Sequence, residues 1–410
     1  MRIGGRVELG QRSETVRRSN LAAITRCLHV RGPQSRSDLV AATGLTRSAI
    51  RGLVGELAAA GLVTEDAAVP QGNPGRPSPV VRLLPAGALV LGIEILVDSV
   101  AAAIVGLGGE VLEQVRVDRP RGHLAVDEVA RDLAGLTHAM LARAGDSLVG
   151  VGVAVAGVVR HADGLVEMAP NLGWRDVPLG ARLEHLLDLG VPFAVANDAD
   201  LGILAEHRRG AAIGVDDALF ISGEVGVGGG ILTGGELLRG AAGYAGEIGH
   251  LPLNPGGNPC RCGSIGCWET VVGEGALLAL AGLPPDAGRP GVDTVLRDAA
   301  AGVPEAMAAL DHVGRWLGIG IAGLVNLFNP QLVVLGGMHG RILPAVRPVV
   351  EAEMARRALP ASRAMVRIVA SSLGQDAPLL GAAELAFEPL LADPADHFPA
   401  PSRQLHLASA

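Results

Sequence analysis

A chain of 410 residues exceeds one ordinary domain and suits two or three. Hydrophobic residues make up 49% of it and aromatics only 2%, so a large core is available but must be built from Ala, Val, Leu and Ile. The formal charge of −8 is uneven: residues 1–84 hold 12 Arg against 6 acidic residues, and the remainder 22 Arg against 36. A basic module on an acidic body points to nucleic acid binding by the first part and argues against it for the second, although charge alone also allows a solvated basic face with no partner.

Residues 1–20 are polar and lack the apolar run of a secretory signal. The greasy stretch 89–107 is interrupted by Glu94 and Asp98, and 148–159 is shorter than the ~20 residues of a bilayer span. Both read as buried strands. The cysteines are Cys27 and the tight group Cys260, Cys262 and Cys267, which is no secreted disulfide framework. A cytoplasmic protein is expected.

In chain order the pattern divides into an arm (1–19), a small helical module (20–84), an α/β body (88–388) and a polar tail (389–410), with Pro70, Pro74, Pro77 and Pro79 marking the linker. Cys27 is expected in the core of the module's first helix. Ser37 is expected to cap a helix through Leu39, Val40 and Ala42; Gly44 then permits a tight turn, and Thr46 caps a second helix reaching about residue 60. In that second helix Ile50, Leu53, Val54 and Leu57 recur at i, i+3, i+4 and i+7, giving one buried face. Arg47, Ser48 and Arg51 lie away from the centre of that face. Gly61 ends the helix, and strands at 62–64 and 80–83 can pair across a wing. Two helices around a glycine turn also occur in purely structural domains, but with polar residues opening the second, a basic charge and a wing they are expected to form a winged helix-turn-helix that reads double-stranded operator DNA in the major groove. Within the linker, Gly75-Arg76-Pro77 either puts Arg76 into a minor groove or is ordinary proline-rich chain.

The body opens with strand-like runs at 89–95, 100–105 and 111–116, followed by an amphipathic stretch at 124–143. Further strands are expected at 150–156, 191–196, 218–221, 228–232 and 332–335, with helical patterns between them, which argues α/β layering.

The strongest local signal is Cys260-Arg-Cys262-Gly-Ser-Ile-Gly-Cys267 with His250 ten residues upstream. Three thiolates and one imidazole complete a closed tetrahedral Zn²⁺ shell, which is the structural rather than the catalytic type. The alternative is three reduced core cysteines.

The body contains Pro170-Asn171-Leu172-Gly173-Trp174, Asn197-Asp198-Ala199, the run 223–230 (GEVGVGGG), Gly246-Glu247-Ile248-Gly249-His250, and Gly266-Cys267-Trp268-Glu269. In this order they resemble the ROK family of repressors, open reading frames and kinases, over about 20–388, and the helix-turn-helix marks the transcriptional-regulator branch. The resemblance implies a two-lobed, actin-like sugar-kinase fold with ligand in the cleft between lobes. It also implies a small carbohydrate held by Asn171, Asn197, Asp198, Glu247, His250 and Glu269. Carboxylates and amides suit that task because they accept from or donate to many hydroxyls. Zinc held by His250, Cys260, Cys262 and Cys267 would fix the loop that presents Glu247 and Glu269 together. Asn197-Asp198 can also be read as a plain helix cap.

In the family's kinases Asp198 would be the general base, and it is retained. The first phosphate loop, Asp-hydrophobic-Gly-Gly-Thr in those kinases, here reads Glu94-Ile95-Leu96-Val97-Asp98. Side chains on Leu96 and Val97 obstruct backbone approach to phosphates, and Asp98 adds negative charge facing an anion. In the second loop Glu224 and Val225 replace Gly-Thr. A sugar-responsive regulator without kinase activity is therefore expected, its Asp198 vestigial, forming a homodimer or a dimer of dimers to read a palindrome. The alternatives are an ATP-dependent sugar kinase with an appended DNA module and a regulator whose effector is zinc itself.

Overall fold

The structure, a computed structural model, describes residues 13–66, 78–122 and 125–397. The N-terminal module comprises α1 (Ser13–Arg31), β1 (Gln34–Ser35), α2 (Arg36–Thr43), α3 (Arg47–Ala59), β2 (Val63–Asp66) and β3 (Val80–Leu83). Helix α1 buries Leu21, Ile24 and Leu28, spaced for one face, and stops at Gly32, which has φ 73°. Thr46 caps α3 by accepting from the Ala49 amide, and Ile50, Leu53, Val54 and Leu57 form its buried face. The cap of α2 is Ser35, not Ser37: its hydroxyl accepts from the Asp38 amide while Asp38 takes the Ser35 amide, a reciprocal capping box. The expected cap lies two residues too late because β1 ends at Ser35 and the chain turns directly into α2. Strands β2 and β3 pair antiparallel, with Val63 opposite Leu83, and β1 adds to the far side of β3.

The boundaries of the module differ from expectation at both ends of the chain. Residues 13–19, assigned to the arm, belong to α1, where Arg18 bonds Asp393 and Asp396. Those two acids lie in the supposed tail, which continues a helix to Ala392 and adds a further turn.

The body is two lobes of the same topology. The first contains β4 (Leu89–Ile95), β5 (Ser99–Gly106), β6 (Glu110–Asp118), α4 (Val126–Ala144) and β7 (Leu148–Val155). A small meander follows, β8 (Val158–Arg160), β9 (Leu165–Ala169) and β10 (Trp174–Val177), then α5 (Leu179–Leu187), β11 (Phe193–Asn197) and α6 (Asp198–Arg209). The second contains β12 (Ala218–Gly223), β13 (Val227–Thr233), β14 (Glu236–Leu237), α7 (Glu269–Val272), α8 (Glu274–Leu280), α9 (Gly288–Ala300) and α10 (Pro304–Phe328). It is completed by β15 (Leu332–Gly336), α11 (Gly337–Arg357), α12 (Pro360–Met365) and β16 (Arg367–Ala370). Helices α13 (Ala377–Ala392) and α14 (Pro394–His397) close the described chain.

One sheet has the order β11-β7-β4-β5-β6 and the other β14-β13-β12-β15-β16. In each, an antiparallel three-stranded meander is extended by two parallel strands on the side of its first strand. Strands β4 and β5 are buried on both faces, against α4 on one side and against α1 and α13 on the other. Their sequences therefore read as unbroken apolar runs rather than alternation. No helix among the described residues is long and apolar enough to cross a membrane.

Candidate functional site

The lobes enclose a cleft of about 780 Å³. All six residues expected to contact a sugar, Asn171, Asn197, Asp198, Glu247, His250 and Glu269, line it. They come from four segments: Asn171 after β9, Asn197 and Asp198 at the β11–α6 junction, Glu247 and His250 around one short helical turn, and Glu269 at the start of α7. Asn197 ends β11 and caps α6, accepting from the Ala199 and Asp200 amides at 2.8 and 3.2 Å while its Nδ2 donates to the Gly157 carbonyl at 2.9 Å. The cap reading of this residue is thus correct as geometry, and one amide hydrogen remains for the cleft. Asp198, first in the helix, accepts from the Ala199 amide at 3.0 Å.

Carboxyl groups crowd this floor. Burial pushes Asp198 up to about 6. It pushes Glu247 up to about 7, with Asp198 and Glu269 adding like-charge repulsion. Behind the floor, buried Asp200, which does not line the cleft, is pushed up to about 8 by burial, then by the charges of Glu247 and Asp198. A floor that is part carboxylate and part carboxylic acid offers both acceptors and donors to hydroxyl groups.

Beside it stand the four expected metal ligands. One donor atom from each of His250, Cys260, Cys262 and Cys267 lies within 4.8 Å of all the others. Cys260 Sγ is 3.6 Å from His250 Nδ1, and Cys262 Sγ is 3.7 Å from Cys267 Sγ. Metal–sulfur and metal–nitrogen bonds of tetrahedral zinc place such donors ~3.6–3.8 Å apart, so the set fits that ion. The loop that gathers them is tight: the Cys260 amide bonds the Ser264 carbonyl, and a Cβ at Gly266, where φ is 75°, would come 1.7 Å from the Asn254 carbonyl oxygen. The loop is anchored by fully buried Trp268, whose indole donates to the Trp316 carbonyl at 2.9 Å. Cys260 also donates to Glu269 Oε1 at 2.9 Å, and burial pushes its thiol up, with Glu269 reinforcing the shift. Sequence reasoning missed Arg261, between two of the cysteines, whose Nη1 reaches across the cleft to Asn171 Oδ1 at 2.7 Å. Its position inside the metal motif was the one available signal.

The other half of the cleft is filled by ion pairs. The Leu96 amide bonds the Ser99 carbonyl, closing the β4–β5 turn with Val97 buried inside it. Buried Glu94 lies 2.7 Å from Arg116 yet is pushed up to about 7, because burial outweighs the arginine. Asp98 holds Arg121 at 2.8 Å, and Arg121 reaches Glu274 of the second lobe at 2.5 Å. Nothing in the sequence linked these residues. The glycine run has its own explanation: a Cβ at Gly228 would meet Ala199 Cβ at 2.9 Å, and one at Gly230 the Ala199 carbonyl oxygen at 2.4 Å. These glycines let β13 press against α6. Gly226, by contrast, faces Asn171 and Glu269, each 3.1 Å from a built Cβ.

In the N-terminal module Arg47, Ser48 and Arg51 are exposed together at the start of α3. The Ser48 hydroxyl is 3.1 Å from Thr46 Oγ1, and neither arginine has a hydrogen-bond or ion-pair partner among the described residues. Arg76 lies outside the described residues.

Two duplicated lobes around a polar cleft, behind a winged helix, define a protein of the actin-like sugar-kinase class carrying a helix-turn-helix module. The ROK family profile matches residues 90–388, and the chain belongs to that family. It is similar to the xylose repressor of Bacillus subtilis, at 30% identity over 92% of this chain and 97% of that one. It superposes on the crystal structure of a ROK family transcriptional regulator, described as a homologue of the Escherichia coli MLC protein, with TM-score 0.74 and 27% identity over 93% of this chain and 97% of that one. A ROK glucokinase from Streptomyces griseus, in complex with glucose and AMPPNP, matches with TM-score 0.62 and 32% identity over 73% of this chain and 99% of that one. The glucokinase therefore matches only part of the chain, whereas the regulator spans almost all of it.

Proposed function

We propose that the protein is a sugar-responsive transcriptional repressor, binding operator DNA through Arg47, Ser48 and Arg51 of α3 and a small carbohydrate in the cleft. The observation that carries this reading is the convergence of Asn171, Asn197, Asp198, Glu247, His250 and Glu269 on one cavity, in a chain that also presents unpaired arginines on a recognition helix. Its relatives' names supply the candidate effectors, D-xylose and D-glucose. His250, Cys260, Cys262 and Cys267 hold one structural Zn²⁺, the ion fixing the loop between Glu247 and Glu269. His250 would give one ring nitrogen to the metal and leave the other for a hydroxyl. A thiolate at Cys260 would no longer donate to Glu269 Oε1, leaving that carboxylate for the sugar.

Kinase activity is not part of this reading. Phosphoryl transfer depends on positioning and charge neutralisation of phosphates. Here Leu96 and Val97 fill the first loop, and Asp98 and Glu224 face the space with carboxyls. The retained Asp198 favours the second reading, an active kinase with a regulatory arm. The protein reads its operator as a homodimer or a dimer of dimers, one helix-turn-helix per half-site.

A thermal-shift series with D-xylose, D-glucose and other simple sugars tests the effector, since a ligand of the native state raises Tm by mass action. Electrophoretic mobility shift with a duplex selected by the protein from a random library tests the DNA module. A shift by one sugar, and its release of the duplex, are the expected results. Sugar phosphate formed from that sugar, ATP and Mg²⁺, and lost in Asp198→Asn, would replace the repressor with the kinase.

A further inference from the structure

Helix α6 has the cleft at one end and a buried ionic junction at the other. Its first turn carries Asn197 and Asp198; its last residues are Arg208 and Arg209, about 17 Å along the axis. Arg209 Nε donates to Glu384 Oε1 at 2.7 Å, and Arg208 Nη1 to Glu384 Oε2 at 3.0 Å. The third partner comes from the DNA-binding module. His29 of α1 has Nε2 2.9 Å from Glu384 Oε2, and its carbonyl accepts from Arg209 Nη1 at 2.6 Å. The Gly108 amide donates to His29 Nδ1 at 3.1 Å, and Arg209 Nη2 also lies 2.6 Å from His29 Nε2, so histidine, arginine and glutamate meet at one point. His29 is 0% and Glu384 2% exposed. Breaking such a buried cluster leaves an uncompensated charge, so its members move together.

Packing removes the freedom for these parts to move separately. A Cβ at Gly381 of α13 would come 1.9 Å from the Leu201 carbonyl oxygen of α6, so the two helix backbones touch. Phe387, Leu390 and Leu391 of α13 share one core with Leu21, Ile24 and Leu28 of α1, and His29 stacks edge-on against Phe387 at 5.1 Å. Helix α6 also packs on β13 and β12 of the second lobe. It therefore touches the cleft, both lobes and, through Glu384, the DNA-binding module.

We infer that α6 and α13 couple occupancy of the cleft to the position of α1, with Glu384 as the joint and Arg209 and His29 as its positioning partners. A sugar that engages Asn197 and Asp198 pulls on the first turn of α6. The displacement reaches Arg208 and Arg209 along a rigid helix, and α1 follows because Glu384 binds all three partners. The inference rests on the repressor reading above and assigns its transmission route.

The test is a binding cycle in the full-length protein, using D-xylose or D-glucose, whichever stabilises the wild type, and a duplex selected by the wild type from a random library. Allosteric coupling in the ordinary range changes wild-type duplex affinity ~5–150-fold on saturation with sugar. Glu384→Gln and Arg209→Met should each bring that ratio below about twofold while sugar affinity without DNA stays within about twofold of wild type. Folded variants that keep the wild-type ratio overturn the inference. Hydrogen exchange of the wild type covers the case in which neither variant folds: sugar should alter protection of α1 up to Arg31, and unchanged protection there overturns the route. A wild type that binds both ligands independently also overturns it while leaving both binding roles intact. A wild type that binds neither overturns the repressor reading itself.

Discussion

Glu247, Asp198 and Asp200 bring three carboxyl groups to one end of α6, and each is pushed up by burial before any neighbour acts on it. Glu247 lines the cleft, and the N-terminal module is remote from it in the chain, so Glu247→Gln should weaken sugar binding at least tenfold while leaving duplex affinity unchanged. Isothermal titration and mobility shift on one preparation measure both, and loss of duplex binding would mean that the substitution had damaged the fold. The same burial has a pH consequence. Asp200 at about 8 and Glu94 at about 7 keep their protons in the folded chain far above the usual carboxylate range. Their contribution to stability is complete below the ordinary carboxylate pKa and is lost as pH rises to about 7 and about 8, because over that interval the unfolded chain has released protons that the folded one retains. The Tm should therefore fall between about pH 5 and about pH 8 and level off above it, and Asp200→Asn should flatten the slope. A Tm that climbs over this interval contradicts the burial argument.

Elements carry the next set of consequences. Ser35 and Asp38 close both ends of a capping box on α2, while Ser37 is exposed. Ser35→Ala should cost about 1 kcal/mol of stability and Ser37→Ala close to nothing, as urea titration would show. The reverse order would restore Ser37 as the cap. The loop from His250 to Glu269 is short of regular structure and depends on its turns, on Trp268 and on the four clustered donors. Protein purified without added metal is expected to contain one Zn²⁺ per chain by elemental analysis. Chelation should lower Tm and reduce sugar affinity together, because Glu269 sits on the same loop. Folded, sugar-binding protein without metal would return the cysteines to plain core residues.

On the scale of the molecule, charge and connectivity decide what binds where. Residues 1–84 carry the basic excess and the rest of the chain the acidic one. DNA affinity should therefore fall steeply with salt while sugar affinity hardly changes. Replacing Arg47 or Arg51 by Ala should weaken duplex binding by roughly 1–3 kcal/mol where the arginine reads a base, or flatten the salt slope where it meets a phosphate. Wild-type affinity in both variants would move the reading surface elsewhere. The body, meanwhile, is no free tether for the module: α1 shares a core with β4, β5 and α13, so the DNA-binding helices and the first lobe form one packed unit.

Sequence alone was enough for the features whose signals act over a few residues. The apolar face of α3, the runs of β4, β5 and β7, the αL glycine at 44 and the clustering of Cys260, Cys262 and Cys267 are all set by local periodicity, turn geometry and short loop closure. Motif order also brought the cleft residues together: Asn171, Asn197, Asp198 and Glu269 sit at strand ends or helix starts, and Glu247 and His250 flank one short helical turn. It failed at β8 to β10 and β16, which are short and lack a long apolar run, and at the cap of α2, where β1 preceded it unseen. It could not distinguish glycines needed by phosphates from those at 228 and 230 that make room for α6. Tertiary structure alone decided the partners of charge. His29 and Glu384 are 355 residues apart in the chain, and Arg121 and Glu274 are 153 apart. An ion pair leaves no periodic trace along a sequence, because its geometry is set by how whole helices and lobes pack rather than by the residues on either side.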